Sequence, residues 1–221
     1  MKTEEAVSVI QRIRDIGIVP VVRATSADEA LAAVESIRAG GIPILEITLT
    51  VPGAVKIIAD LSRRLGDDTL IGAGTVLDAD SARACIDAGA RFVVSPSLDI
   101  PTIELCRKAG TPVFPGALTP TEIVTAWKAG ADAVKVFPAN SVGGATYLKS
   151  IKAPLPQVEL IPTGGVSLTT AADFLAAGAF ALGVGADLVD LEALRAGKAA
   201  SITEKARQYV AAVAAARSAH I

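Results

Sequence analysis

Eight short runs rich in Val and Ile recur along the chain, each set off from the next by a longer Ala-rich segment of helical period. This beat constrains the fold more than any other feature. The strand-like runs cover residues 18–23, 44–49, 70–75, 92–95, 112–115, 133–137, 159–163 and 180–183. Their interval is that of one strand plus one crossover helix, as repeated βα units in a parallel sheet require. Eight such units close on themselves, so the expected architecture is α/β: a single (β/α)8 TIM barrel domain over residues 1–221. An extra helix over 3–16 precedes the first strand, and another over 198–217 follows the last. An open doubly wound sheet alternates in the same way. Its dinucleotide fingerprint is missing, however, because Gly72-Ala-Gly74 follows a strand while the third glycine position holds Leu77.

Helix punctuation agrees with this spacing. Ser26-Ala-Asp-Glu29 and Thr119-Pro-Thr-Glu122 read as capping boxes, the second with Pro120 at the first helical position. Gly40, Gly89, Gly110, Gly130 and Gly178 fall where a left-handed C-terminal cap is expected, just ahead of the next strand. No linker, low-complexity run or second domain interrupts the pattern, and 221 residues suffice for one well-buried core.

What the chain lacks narrows the chemistry. No stretch reaches the roughly 18 uninterrupted apolar residues of a membrane span. The start, MKTEEAVSVIQRIRDIG, has no signal-peptide layout, so a cytoplasmic protein is expected. A net charge of −2 without a basic tract offers no footprint for nucleic acid or anionic lipid. Cys85 and Cys106 have no metal-ligand or C-x-x-C spacing and are read as reduced and structural. The single histidine is His220, next to last and read as part of a frayed tail. A Ser-His-Asp triad, a histidine-rich metal centre or an imidazole base at the barrel mouth would each need a histidine elsewhere.

In parallel barrels the site lies at the C-terminal ends of the strands, where the polar residues here are Arg23, Glu46, Thr48, Thr50, Thr75, Ser95, Lys135 and Thr163. Alternation sorts them. Lys135 shares a face with Ala133 and Phe137, and Glu46 with Thr48, leaving Val134, Val136, Leu45 and Ile47 to meet the outer helices. An inward lysine and an inward glutamate can therefore meet. Burial disfavours the ammonium form, and a free amine among apolar walls forms an imine with a ketone. The protonated imine is an electron sink for a neighbouring C–C bond, with the carboxylate moving the proton. The same two residues also suit a buried ion pair that only fills the barrel.

A second constellation is glycine-rich: Pro162-Thr-Gly-Gly-Val-Ser167 and Gly183-Val-Gly185, after the seventh and eighth strands. Loops at these places commonly bind phosphate through backbone N–H groups, so Gly164, Gly165, Gly183 and Gly185 are candidate ligands to an anion. Trp127, among Ile123, Val124 and Ala126, reads as a packing residue with a subunit contact behind it, and Pro96 and Pro115 as strand ends.

Taken in order, Val19-Pro-Val-Val-Arg-Ala24, Glu46-Ile-Thr-Leu-Thr50, Gly72-Ala-Gly-Thr-Val76, Phe92-Val-Val-Ser-Pro96, Pro115-Gly-Ala-Leu-Thr-Pro120, Lys135-Val-Phe-Pro-Ala139 and Pro162-Thr-Gly-Gly-Val166 resemble the 2-dehydro-3-deoxy-phosphogluconate (KDPG) and 4-hydroxy-2-oxoglutarate (KHG) aldolase family. The likeness covers about residues 18–189. It implies that Lys135 is the Schiff-base lysine and Glu46 the proton-transfer base. It implies further that Thr75, Pro96 and Phe137 line a pyruvate pocket, that Arg23 stands near its mouth, and that the chain is a homotrimer needing no metal or other cofactor. Thr50 stands where many members carry an arginine for the keto-acid carboxylate. A hydroxyl cannot supply that bidentate, charge-assisted contact, which leaves Arg23 or backbone N–H groups to substitute. Asn140 replaces a frequent glutamate, and Ala186 a serine that often helps hold phosphate.

The implied activity is that of a class I aldolase, a carbon–carbon lyase. It would cleave 2-dehydro-3-deoxy-6-phosphogluconate reversibly to pyruvate and glyceraldehyde 3-phosphate, with 4-hydroxy-2-oxoglutarate or the galactonate epimer as further 2-keto acid substrates. Two alternatives stand beside it: a phosphosugar isomerase or epimerase on the same barrel, and a non-catalytic trimeric scaffold that retains these residues.

Overall fold

The computed structural model describes residues 3–218, so His220 lies outside the described residues. Its strands are β1 (Ile18–Val22), β2 (Ile44–Thr48), β3 (Leu70–Gly74), β4 (Val93–Val94), β5 (Val113–Phe114), β6 (Gly116–Ala117), β7 (Val134–Val136), β8 (Leu160–Pro162) and β9 (Leu182–Val184). The helices are α1 (Glu4–Ile16), α2 (Ala27–Ala39), α3 (Ala54–Leu65), α4 (Ala79–Asp87), α5 (Ile100–Ala109), α6 (Pro120–Ala129), α7 (Gly144–Lys152), α8 (Ala171–Ala176), α9 (Leu191–Arg195) and α10 (Ala199–Ser218).

Every pairing is parallel, in the orders β5-β4-β3-β2-β1-β9 and β6-β7-β8, and a bridge from Thr163 to Gly183 joins the second set to β9. Only Pro115 separates β5 from β6, so the ring closes as a (β/α)8 barrel whose fifth strand is in two pieces. Pro115 was expected to end its strand. Instead it only interrupts the ladder, because it has no N–H to donate, and pairing moves from β4 before it to β7 after it. The eighth strand also starts later than expected, at Leu182, while Phe180 fills the barrel floor.

Alternation along the strands divides the interior into two cores. Leu45, Ile47, Val134 and Val136 pack outward against the helices. Ile44, Leu70, Phe92, Phe114, Ala133 and Ile161 pack inside the barrel, where Val9 and Ile13 of α1 close the end at which the strands begin. The Phe92 and Phe114 rings lie 5.7 Å apart. Phe92 has room because Gly72 has no side chain: a Cβ there would lie 2.3 Å from the ring. Each such burial stabilises by roughly 1.5–3 kcal/mol. The plug helix is well specified, since Thr3 caps it by accepting from the Ala6 N–H, Glu4 and Glu5 complement its positive end, and Ala6, Val9 and Ile13 form its buried stripe.

The helix ends follow expectation with two corrections. Thr119 and Glu122 make the full reciprocal box. Ser26 accepts from the Glu29 N–H, but the Glu29 carboxylate accepts from the N–H and hydroxyl of Thr25 and from Arg195, so only half a box forms there. Gly89, Gly110, Gly130 and Gly178 adopt positive φ, whereas Gly40 has φ −86° and the left-handed turn falls on Gly41. Position 40 needs glycine for packing instead, because a Cβ would lie 2.3 Å from the Ala206 Cβ on α10. Trp127 is half-buried against the outer core. Among the described residues no helix is long and apolar enough to cross a membrane.

Candidate active site

Lys135 sits on β7 between Gly116 of β6 and Ile161 of β8, and Glu46 on β2 between Val21 of β1 and Gly72 of β3. Both point into the barrel on the faces that carry Ala133 and Ile44 below them. The Lys135 Nζ is 3.7 Å from the Glu46 Oε1, and the two residues are 5% and 2% exposed. Among the described residues Oε1 has no hydrogen-bond partner. Leaving a buried acceptor unpaired costs about 1–3 kcal/mol, which a proton-bearing ligand at this point would recover. The pair thus offers a buried amine beside an acceptor placed to take a proton.

Glycines make the space. A Cβ on Gly74 would lie 2.0 Å from Glu46 Oε1, and one on Gly116 would meet the Pro96 carbonyl carbon at 2.2 Å. Gly74 was not singled out from the sequence as a site residue, although glycines at alternate positions of one strand signal close approach on one face. The Phe137 ring centroid is 5.4 Å from Lys135 Nζ. Thr75 follows Gly74 with φ 57°, a left-handed conformation costing on the order of 1–3 kcal/mol in a β-branched residue. Pro96 is half-buried at the end of β4.

The remaining mouth residues do not hydrogen-bond to this pair. Arg23 is exposed past β1, and among the described residues its side chain has no ion-pair or hydrogen-bond partner. The Thr48 hydroxyl donates to the Val22 carbonyl at 3.1 Å and lies 2.7 Å from the Thr50 hydroxyl. Thr48 has a single hydroxyl proton, so Thr50 is the donor in the second bond, turned toward the strand.

Across the mouth, the Thr163–Gly183 bridge sets the two glycine-rich loops side by side, and Thr163 Oγ1 would be 2.0 Å from a Cβ at 183. Gly164 and Gly165 have φ 93° and 74°. Asn140 lies against them, since a Cβ at 165 would meet its Cβ at 2.5 Å. A Cβ at Gly185 would meet nothing within 4 Å, so that backbone is open to a ligand. Gly164, Gly165, Gly183 and Gly185 therefore gather at one corner, as an anion site needs.

Cys85 and Cys106 are free and buried, and burial pushes their thiols up to about 11 and about 12, so neither supplies a nucleophile. Among the described residues no three His, Cys, Asp or Glu side chains cluster as a metal would require.

The chain is 36% identical over 168 residues to the 2-dehydro-3-deoxy-phosphogluconate aldolase of Haemophilus influenzae, covering 76% of this chain and 79% of that one. It is 36% identical over 203 residues to the 2-dehydro-3-deoxy-6-phosphogalactonate aldolase of Escherichia coli, covering 91% and 95%. Its fold superimposes with a TM-score of 0.83 on the KDPG aldolase of Legionella pneumophila, solved with pyruvate captured at low pH as a covalent carbinolamine intermediate, at 31% identity over 93% of this chain and 97% of that one. Residues 9–205 match the family described as KDPG and KHG aldolase, and the chain belongs to that family.

Proposed function

We propose that this chain is a class I aldolase, a carbon–carbon lyase that reversibly cleaves 2-dehydro-3-deoxy-6-phosphogluconate to pyruvate and D-glyceraldehyde 3-phosphate. The observation that carries the reading is the buried Lys135 amine 3.7 Å from Glu46 Oε1, which among the described residues has no hydrogen-bond partner, at the C-terminal end of a parallel barrel. Lys135 adds to the C2 carbonyl, and loss of water gives an iminium ion. Glu46 takes the C4 hydroxyl proton, the C3–C4 bond breaks, the aldehyde leaves, and the bond's electron pair enters the iminium to give an enamine. Protonation at C3 from Glu46 and attack of water then release pyruvate and the free lysine. The imine itself is the electron sink, so the scheme calls for no cofactor.

Thr75, Pro96 and Phe137 wall the pyruvate end. Arg23 and Thr50 face the carboxylate side, where Arg23, which has no side-chain partner among the described residues, is the available charge. Gly164, Gly165, Gly183 and Gly185 receive the phosphate on backbone N–H groups. The galactonate epimer and 4-hydroxy-2-oxoglutarate are further substrates of the same pocket, a breadth supported by the relatives' names. We place the enzyme in the cytoplasm, in the Entner–Doudoroff route of carbohydrate metabolism, as a homotrimer. Exposed Val55 and Leu77, at 38% and 58% beside the ends of β2 and β3, supply apolar surface for subunit contact.

The test is to incubate the protein with pyruvate, add borohydride and map the adduct by mass spectrometry. Reductive trapping on Lys135, absent in Lys135→Ala, is the expected result. No adduct on the intact protein would overturn the aldolase reading in favour of an isomerase, an epimerase or a scaffold.

A further inference from the structure

The end of β9 and the turn after it read Gly183-Val-Gly-Ala-Asp187, and up to position 186 there is no side-chain donor to offer an anion. Recognition there falls to backbone N–H groups, whose aim depends on where the turn is held. The turn closes on itself, with the Leu188 and Val189 N–H groups both donating to the Gly185 carbonyl at 3.0 and 2.9 Å. Leu188 and Val189 are buried in the outer core, and the polar tie of the turn to α10 is Asp187. The Tyr209 hydroxyl on α10 donates to Asp187 Oδ2 at 2.6 Å, and Lys205 Nζ lies 3.5 Å from Oδ1. Tyr209 is fully buried in the outer core with Ala206 and Val213, so the donor cannot swing away. A bare carboxylate two residues from Gly185 would also repel an incoming anion, and here Tyr209 and Lys205 satisfy it.

We infer that Tyr209 and Asp187 are positioning residues that hold the Gly185 turn in register for the substrate phosphate, making the C-terminal helix part of recognition without touching substrate. This rests on the phosphate assignment proposed above. The two are tested by measuring KM and kcat for 2-dehydro-3-deoxy-6-phosphogluconate and for its unphosphorylated counterpart, in the intact protein, Tyr209→Phe and Asp187→Ala. The intact protein is expected to favour the phosphorylated substrate. Loss of the Tyr209 hydroxyl is expected to raise KM for that substrate about five- to tenfold. KM for the unphosphorylated one, both kcat values and pyruvate trapping on Lys135 are expected to stay within about twofold. Asp187→Ala, at a partly exposed position, is expected to do the same and stands in if Tyr209→Phe fails to fold. A phosphate preference unmoved in the folded variants, or KM raised equally for both substrates, overturns the positioning role alone. An intact protein without phosphate preference overturns the phosphate assignment and this inference with it.

Discussion

At the end of the barrel where the strands begin, Val9 and Ile13 of α1 close over Phe92, Phe114 and Phe180. At the other end Glu46 and Lys135 face each other beneath loops of glycine. The same strands build both ends with the same alternation. They differ in what meets the inward positions: rings and branched chains interdigitate at the floor, whereas the layer above sets Glu46 against Gly74 and Thr163 against Gly183. Gly72 makes room for Phe92 at the floor and Gly74 for Glu46 at the mouth, two residues along one strand. The floor contributes stability through contact area. The mouth gives up contact area and, among the described residues, leaves Glu46 Oε1 without a hydrogen bond, which suits a site that must admit a substrate.

Changes at the two ends should therefore separate activity from stability. The largest effect is expected from Lys135→Ala, which removes the imine and should lower kcat by about 10⁴-fold or more, as steady-state turnover will show. On the floor, Phe92→Ala should cost about 3–5 kcal/mol in urea unfolding while kcat of the folded protein stays within about threefold. A large loss of kcat at unchanged stability would break the division between the ends. Gly74→Ala sharpens it, because the new methyl displaces the Glu46 carboxylate. A loss of about 10²-fold in kcat is expected with pyruvate trapping on Lys135 retained.

The smallest effect concerns Glu29, which links the loop after β1 to α9. Hydrogen bonds from Arg195 first and Thr25 second hold its carboxyl down at about 2, below the ordinary 4.5. A depressed carboxyl adds stability that is present above pH 4.5 and lost as pH falls from there through about 2. Glu29→Gln should flatten the pH dependence of the unfolding midpoint in that window and leave it unaltered near neutrality in shape. An unchanged acid limb in the variant would show that the exposed pair contributes nothing.

Much of this was legible from local pattern. Period-two alternation placed Lys135 and Glu46 on inward faces, and Val134, Val136, Leu45 and Ile47 do pack outward. What escaped were contacts between elements that share no motif. Tyr209 bonds Asp187 from another element 22 residues on, and Arg195 reaches Glu29 across 166 residues. Gly40 looked like a helix cap and proved to be a contact point for α10. Pro115 looked like a strand end and proved to be an interruption, because the neighbours on its two sides differ.

The sequence alone determined the eight-unit beat, the inward lysine and glutamate, the glycine-rich corners and the family resemblance, since each is written within a few consecutive residues. Tertiary structure decided that Lys135 and Glu46 stand 3.7 Å apart, that Gly74 clears space for the carboxylate, and that α10 anchors the turn after β9. The first of these depends on how the closed barrel sets β2 across from β7, and the others on how neighbouring elements pack, so no local pattern encodes them until the ring is closed.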